Sequence, residues 1–70
     1  MFHKIVGQAY AAWTLALAID GDYGTSDKTM EKAWEHTKGL YELALSIAPD
    51  AHFAGVCRDA IAGCVEFINN

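Results

Sequence analysis

Residues 9–19 have the sequence AYAAWTLALAI, in which Thr14 is the only polar residue. Wound as an α-helix, this stretch is apolar around its whole circumference rather than on one face. A helix of that kind is normally covered by protein or lipid on every side. Because a chain of 70 residues has few elements to cover it, the fold depends on what packs against this stretch.

The composition predicts a small all-α domain. Alanine, which favours helix, is the commonest of the hydrophobic residues that make up 53% of the chain. No segment alternates apolar and polar residues between turn signals, as a strand would. A core of this size contributes little net stability after the entropy of folding is subtracted, so a partner is expected to add support.

Two breaks divide the chain into three helical segments. The first is residues 20–26, DGDYGTS, and the second is Pro49, which disfavours helical backbone in the residue before it. We therefore predict one domain, an antiparallel up-down three-helix bundle that dimerises through its first helix. The predicted helices cover residues 2–19, 27–48 and 51–68.

The glycines predict where the helices end and where they approach each other. Gly21 is expected to end the first helix in the left-handed conformation. In an up-down hairpin Gly39 falls beside Gly7, so the first two helices are expected to lie closest together there. Gly55 and Gly63 lie roughly on one face of the third helix and indicate either close packing or a flat docking surface.

We expect some of the large side chains to lie in the core and others to lie at an interface with a partner. In the hairpin register Trp13 falls near Trp34, which places both in the core. The third helix has a predicted core stripe of Phe53, Val56, Cys57, Ala60, Ile61, Cys64, Phe67 and Ile68. On the first helix Tyr10 and Leu17 lie on a second face that one chain cannot cover. We therefore expect a homodimer interface there, with Tyr23 as a further interaction residue; filling of the core is the alternative for each aromatic residue.

The charges favour a basic protein as partner. The net charge of −4 opposes direct nucleic-acid binding, which needs clustered Lys and Arg, and opposes binding to an anionic membrane. Only Lys28 and Lys32 interrupt an acidic cluster, for which docking on a basic surface is predicted and a solvated helix face is the alternative. The residues of this cluster are Asp20, Asp22, Asp27, Glu31 and Glu35.

The same loop gives a weak calcium candidate. Asp20, Asp22 and Glu31 fall at positions 1, 3 and 12 of an EF-hand loop. Gly24 stands at position 5, which needs a ligand, and Thr25 stands at position 6, which needs glycine for the turn. The three histidines lie on three different elements. We therefore expect no metal and no cofactor.

Neither the cysteines nor any other motif predicts an enzyme. Cys57 and Cys64 are seven residues apart, about 10.5 Å along a helix, whereas a disulfide needs about 4.4–6.8 Å between Cα atoms. They are expected to be reduced core residues of a cytoplasmic protein; an interchain disulfide or a redox role stays open. No nucleophile is paired with a base, and no phosphate-binding loop is present.

The N-terminal apolar run raises the question of targeting. It is shorter than the roughly 20 residues that span a bilayer. A signal peptide is the alternative, since Ala16 and Ala18 have the small-x-small spacing of a cleavage site. Gln8 and Thr14 interrupt the run, and we expect a soluble chain with no membrane partner.

Residues 40–50, LYELALSIAPD, resemble the second helix of a tetratricopeptide repeat. Tyr41, the Ala44-Leu45 pair and Pro49 fall at matching offsets. The first helix of such a repeat would have to cross the Gly-rich loop, and one incomplete repeat is not stable as an array. The resemblance therefore implies a shared way of ending a hairpin helix and no function.

Together these observations predict a small acidic protein-binding module that is not an enzyme. Its size and charge suit an inhibitor of a host protein, of the phage-encoded anti-CRISPR or anti-defence type, which would act in the host cell cytoplasm. A helical subunit or adaptor of a larger complex is the alternative. A calcium-responsive helix-loop-helix switch is the third possibility.

Overall fold

The computed structural model describes residues 1–69, which form three helices and no strand. The helices are α1 (Phe2–Asp20), α2 (Asp27–Ser46) and α3 (Ala51–Asn69). The predicted all-α class is confirmed, and each predicted helix boundary lies within two residues of the observed one. The packing contacts between the helices are consistent with the predicted up-down course.

Local hydrogen bonds determine where the helices begin and end, and at one of these ends the backbone conformation differs from the prediction. Ser26 Oγ accepts a hydrogen bond from the Thr29 amide at 3.2 Å, which caps the start of α2. The prediction that Gly21 is left-handed is wrong, since its φ and ψ are −81° and −3°. Asp22 N donates to Ile19 O at 3.1 Å, so the chain leaves α1 through a tight right-handed turn that needs no positive φ.

The central helix is α2, which packs against both of the others. No Cα atom of α1 lies within 8 Å of a Cα atom of α3 among the described residues. The two outer helices therefore meet only through side chains. Since α2 is covered from two sides, it holds several of the most deeply buried residues, including Trp34, Thr37, Tyr41 and Ala44.

Trp13 of α1 fills part of the gap between the outer helices. Its ring centroid lies 5.0 Å from Trp34, 6.4 Å from Tyr41 and 6.1 Å from Phe67 of α3, each in an edge-to-face arrangement. Trp34 and Phe67 stack face to face at 4.1 Å. A Cβ atom on Gly63 would lie only 2.9 Å from Trp13 Cη2. The close packing predicted at Gly63 is therefore confirmed, and its neighbour is Trp13.

The close approach predicted at Gly7 and Gly39 is wrong. A Cβ atom at either glycine would meet nothing within 4 Å. Ala9, which is fully buried, lies two residues from Gly7 and therefore about 160° from it around the helix. The interface between α1 and α2 is closed by Ala9, with Ala44 buried in the same cluster. The glycine instead lies on the outward side of α1.

We expect Gly63→Ala to lower the free energy of unfolding and Gly55→Ala to raise it. Overpacking against the enclosed Trp13 ring costs about 1–3 kcal/mol, which exceeds the gain of about 1 kcal/mol from alanine's helix propensity. Gly55 is the matched control on the same helix, because a Cβ there meets nothing within 4 Å. Urea unfolding followed by circular dichroism measures both, and equal stabilisation by the two alanines would contradict the Trp13 contact.

Candidate functional site

One end of the molecule carries the whole formal net charge. We call residues 20–35 and 66–69 the acidic end. It holds six of the nine acidic residues and two of the five basic ones, a net charge of −4, whereas the remainder has three of each. The sequence cluster omitted Glu66, which α3 brings to this end from far along the chain.

Carboxylates and apolar side chains share a pocket at the acidic end. This cavity, of about 350 Å³, is lined by Asp20, Asp27, Met30, Glu31, Phe67 and Ile68. A second cavity of about 360 Å³ adjoins it through Asp20 and Met30 and is lined by the loop that includes Tyr23. Lysine and arginine side chains combine a cationic head with an apolar stem. A pocket with both kinds of lining is suited to such a side chain.

The predicted interaction residues of the acidic end all lie on the surface. Asp20, Asp22, Asp27, Glu31 and Glu35 are exposed, as is Tyr23, whose side chain is open to solvent on every side. The one ion pair among residues 1–69 joins Lys38 Nζ to Glu42 Oε2 at 4.0 Å, outside the acidic end. The carboxylates of the acidic end are therefore available to a cationic partner.

The calcium candidates do not converge. Within residues 1–69, no group of three or more His, Cys, Asp or Glu side chains is placed to share a metal ion. Asp22 Oδ1 instead accepts a hydrogen bond from the Gly24 amide at 3.0 Å, which shapes the loop. The trio Asp20, Asp22 and Glu31 is thus spread over the end of α1, the loop and α2 without forming a site.

A second surface lies between α1 and α3. Four exposed side chains border it, and we call it the open face: Tyr10 at 66% exposure, Leu17 at 44%, Val56 at 43% and Phe67 at 36%. Tyr10 and Leu17 lie within about 60° of Trp13 around α1, and Val56 lies about 20° from Phe67 around α3, so both pairs are on the sides of the two helices where Trp13 packs on Phe67. Tyr10 and Leu17 are exposed in the single chain, as the interface prediction requires. The prediction that Val56 and Phe67 are buried in the core stripe is wrong, because the backbone of α1 stays too far from α3 to cover them. Phe67 packs on Trp13 and Trp34 and still stays 36% exposed.

Two histidines lie at the opposite end from the acidic loop, around one phenylalanine. The ring centroids of His3 and His52 lie 5.5 Å and 5.2 Å from that of Phe53, and Phe2 lies 5.2 Å from the same ring. Sequence reasoning placed the histidines on separate elements and missed this grouping, since His3 and Phe53 come together only when α1 and α3 both pack on α2. Both histidines are exposed.

Both cysteines are buried free thiols, as predicted. Burial raises the pKa of the Cys57 thiol and, although Lys38 opposes the effect, also that of Cys64. The pKa of Tyr41 is raised by burial and then by the neighbouring Cys64 and Cys57. Since the thiolate is the reactive form, these thiols are poorly placed for nucleophilic chemistry.

In comparisons with known proteins, the chain matches no protein-family model, no curated protein and no solved structure. None of the helices in residues 1–69 is long and apolar enough to cross a membrane. Function must therefore be inferred from the acidic end and the open face.

We expect the free energy of unfolding to stay constant from neutral pH to about pH 8.5, the ordinary pKa of a thiol, and to fall above that pH. The pKa of each buried thiol is raised in the folded state, so the unfolded chain loses its thiol protons first and is favoured as pH rises. Urea titrations at a series of alkaline pH values measure this. A Cys57→Ala/Cys64→Ala variant should show a shallower decline, and an unchanged slope would contradict the assignment.

Proposed function

We propose that this chain is a non-enzymatic protein-binding module that docks on a basic surface of a partner protein through its acidic end. The observation that carries the proposal is the charge distribution. The entire net charge of −4 lies at one end of the molecule, around the exposed ring of Tyr23 and a pocket with an apolar lining.

The two kinds of group at the acidic end have different roles in docking. The carboxylates attract a basic surface over several ångströms and raise the association rate. Tyr23 and the pocket beside Phe67 offer apolar contact area, and tyrosine is enriched among the residues that dominate binding energy. The pocket carboxylates Asp27 and Glu31 are placed to receive a lysine or arginine of the partner.

The most specific form of the proposal is a small inhibitor of a host protein, of the phage-encoded anti-CRISPR or anti-defence type, acting in the host cell cytoplasm. It would occupy a basic surface of its target without binding nucleic acid itself. The small size and the one-sided charge support it. We further propose that the helices follow an up-down course and that two copies pair through α1, for which the exposure of Tyr10 and Leu17 is the support.

A helical subunit or adaptor of a larger complex is the second candidate. The open face favours it, because a permanent subunit would use an apolar surface rather than a charged one for docking. The calcium-responsive switch has weaker support, since Asp20, Asp22 and Glu31 do not form a group that could hold a metal ion.

Charge reversal tests the acidic end. We expect Glu31→Lys/Glu35→Lys to weaken binding to the captured partner by about tenfold or more, because two attractive contacts become repulsive. The wild-type chain is immobilised, the partner is isolated from cells that contain it, and its affinity is then measured by calorimetry at low and high salt. Binding by the wild type should weaken as salt rises.

The matched control is Glu42→Lys/Asp59→Lys, which changes the net charge by the same amount outside the acidic end. All four positions are exposed, so both variants should keep the helical circular dichroism spectrum. The control should bind as the wild type does. If both double variants lost affinity equally, binding would respond to net charge alone. If both kept the wild-type affinity, the acidic end would be excluded as the docking surface.

A further inference from the structure

A groove runs between α1 and α2, and residues of these two helices alone line it. It contains a cavity of about 460 Å³, lined by Leu15 of α1, Leu40 of α2 and the small side chains of Ala12, Ala16 and Ala33. Because an alanine side chain ends at Cβ, the groove has room for large apolar side chains of a partner between the two helices. We call this surface the α1–α2 groove.

Both helices present the same pattern of residues to the α1–α2 groove. On each helix a lysine, a polar residue and a leucine follow one another at spacings of four and seven residues. They are Lys4, Gln8 and Leu15 on α1 and Lys32, His36 and Leu43 on α2. Residues at these spacings lie within about 40° of one another around a helix, so each set forms one edge of the groove. Leu15 and Leu43 are 62% and 51% exposed, which leaves the groove open along its length.

The edges of the α1–α2 groove carry cations and no carboxylate. The acidic residues of α1 and α2 all lie about 100–180° around their helix from Gln8 or His36. They are Asp20, Asp27, Glu31, Glu35 and Glu42. Lys4 and Lys32 are exposed, and the one ion pair in residues 1–69 involves neither of them. Both lysines are therefore available to a partner that carries carboxylates.

The two lysines lie near opposite ends of the α1–α2 groove. Lys4 is in the first turn of α1, whereas Lys32 is next to Ala33, which packs against the core cluster that contains Ala16. Lys32 is thus level with a part of α1 about 12 residues beyond Lys4, roughly 18 Å along the axis. A fatty acid, with one charged head, would use only one of these cations. A helix of about four turns reaches both.

We propose that the α1–α2 groove binds an amphipathic helix of a partner protein that carries carboxylates near both ends of its apolar stripe. The apolar stripe fills the groove, and the carboxylates pair with Lys4 and Lys32. Apolar anchors that repeat at helical spacing supply the contact area in recognition of this kind, and the charges fix the position of the helix along the groove. The inference goes beyond docking on a basic surface, because it adds an acidic class of partner on another side of α2.

The first experiment uses two synthetic helical peptides as probes. Each has about 18 residues with leucines at the spacing i, i+4, i+7 and i+11, and its first and last turns carry glutamate in one peptide and lysine in the other. Fluorescence anisotropy at low salt should show the glutamate peptide binding the chain about tenfold more tightly or better. The net charge of −4 favours the lysine peptide, so the opposite preference identifies a local cationic surface.

Charge reversal then locates the bound peptide. Lys4→Glu/Lys32→Glu should weaken binding of the glutamate peptide by about tenfold or more. Lys28→Glu/Arg58→Glu is the matched control, because it changes the net charge equally while Lys28 lies about 80° from His36 around α2 and Arg58 belongs to α3. The control should bind within about twofold of the wild type. All four positions are exposed, so circular dichroism should show both variants helical.

A pair of leucine variants tests the apolar contact. Leu15 lines the α1–α2 groove, whereas Leu17 lies about 160° away around α1 and borders the open face. Leu15→Asn should weaken binding of the glutamate peptide by about fivefold or more, since it removes apolar area that the peptide buries. Leu17→Asn should leave the affinity unchanged.

Several results would overturn the proposal. One is a glutamate peptide that binds no better than the lysine peptide, and another is equal loss of affinity in the two charge-reversal variants. Loss in Leu17→Asn but not in Leu15→Asn would place the peptide on the open face. Displacement of the peptide by dodecanoate, with tighter binding of the fatty acid, would assign the groove to a lipid instead. Docking through the acidic end is measured separately by Glu31→Lys/Glu35→Lys.

Discussion

The Trp13 indole fixes the distance between the two outer helices, and most features of the molecule follow from that distance. The ring is enclosed by Trp34 and Tyr41 of α2 and by Phe67 of α3. Gly63 already gives α3 its closest possible approach, because even a methyl group there would press on the ring. With α1 and α3 held apart in this way, α2 becomes the central helix and one side of the molecule stays apolar and open.

Local sequence signals predicted the helices well, because caps, breaks and periodicity act over a few residues. The placement of Trp13 beside Trp34 also followed from counting along one hairpin. Val56 and Phe67 were misplaced, since the pattern of α3 cannot indicate how far away α1 lies. The error at Gly7 and Gly39 has a similar origin. The hairpin register places the two glycines at the same height along the helix axes. It does not indicate that each glycine faces away from the interface between α1 and α2.

The acidic end could be predicted only in part. Five of its carboxylates lie within sixteen consecutive residues, so the sequence shows them as a cluster. Phe67 and Ile68 come from the far end of the chain, and they give the pocket its apolar lining. Without them the cluster is an ordinary solvated helix face; with them it combines the two properties that a lysine or arginine side chain needs. The grouping of His3 and His52 around Phe53 also joins residues that are far apart in the sequence, so the sequence did not show it.

Phe67 belongs to both proposed surfaces, which has a thermodynamic consequence. One part of its ring stacks on Trp34, while the side chain lines the acidic pocket and contributes to the open face. A partner seated in the pocket and a partner seated on the open face would therefore contact the same side chain. Any shift of that ring by one ligand changes the affinity for the other, and the change is equal in both directions. Phe67 also packs on Trp13, which separates the two outer helices. Trp13 therefore contacts a residue that belongs to both surfaces.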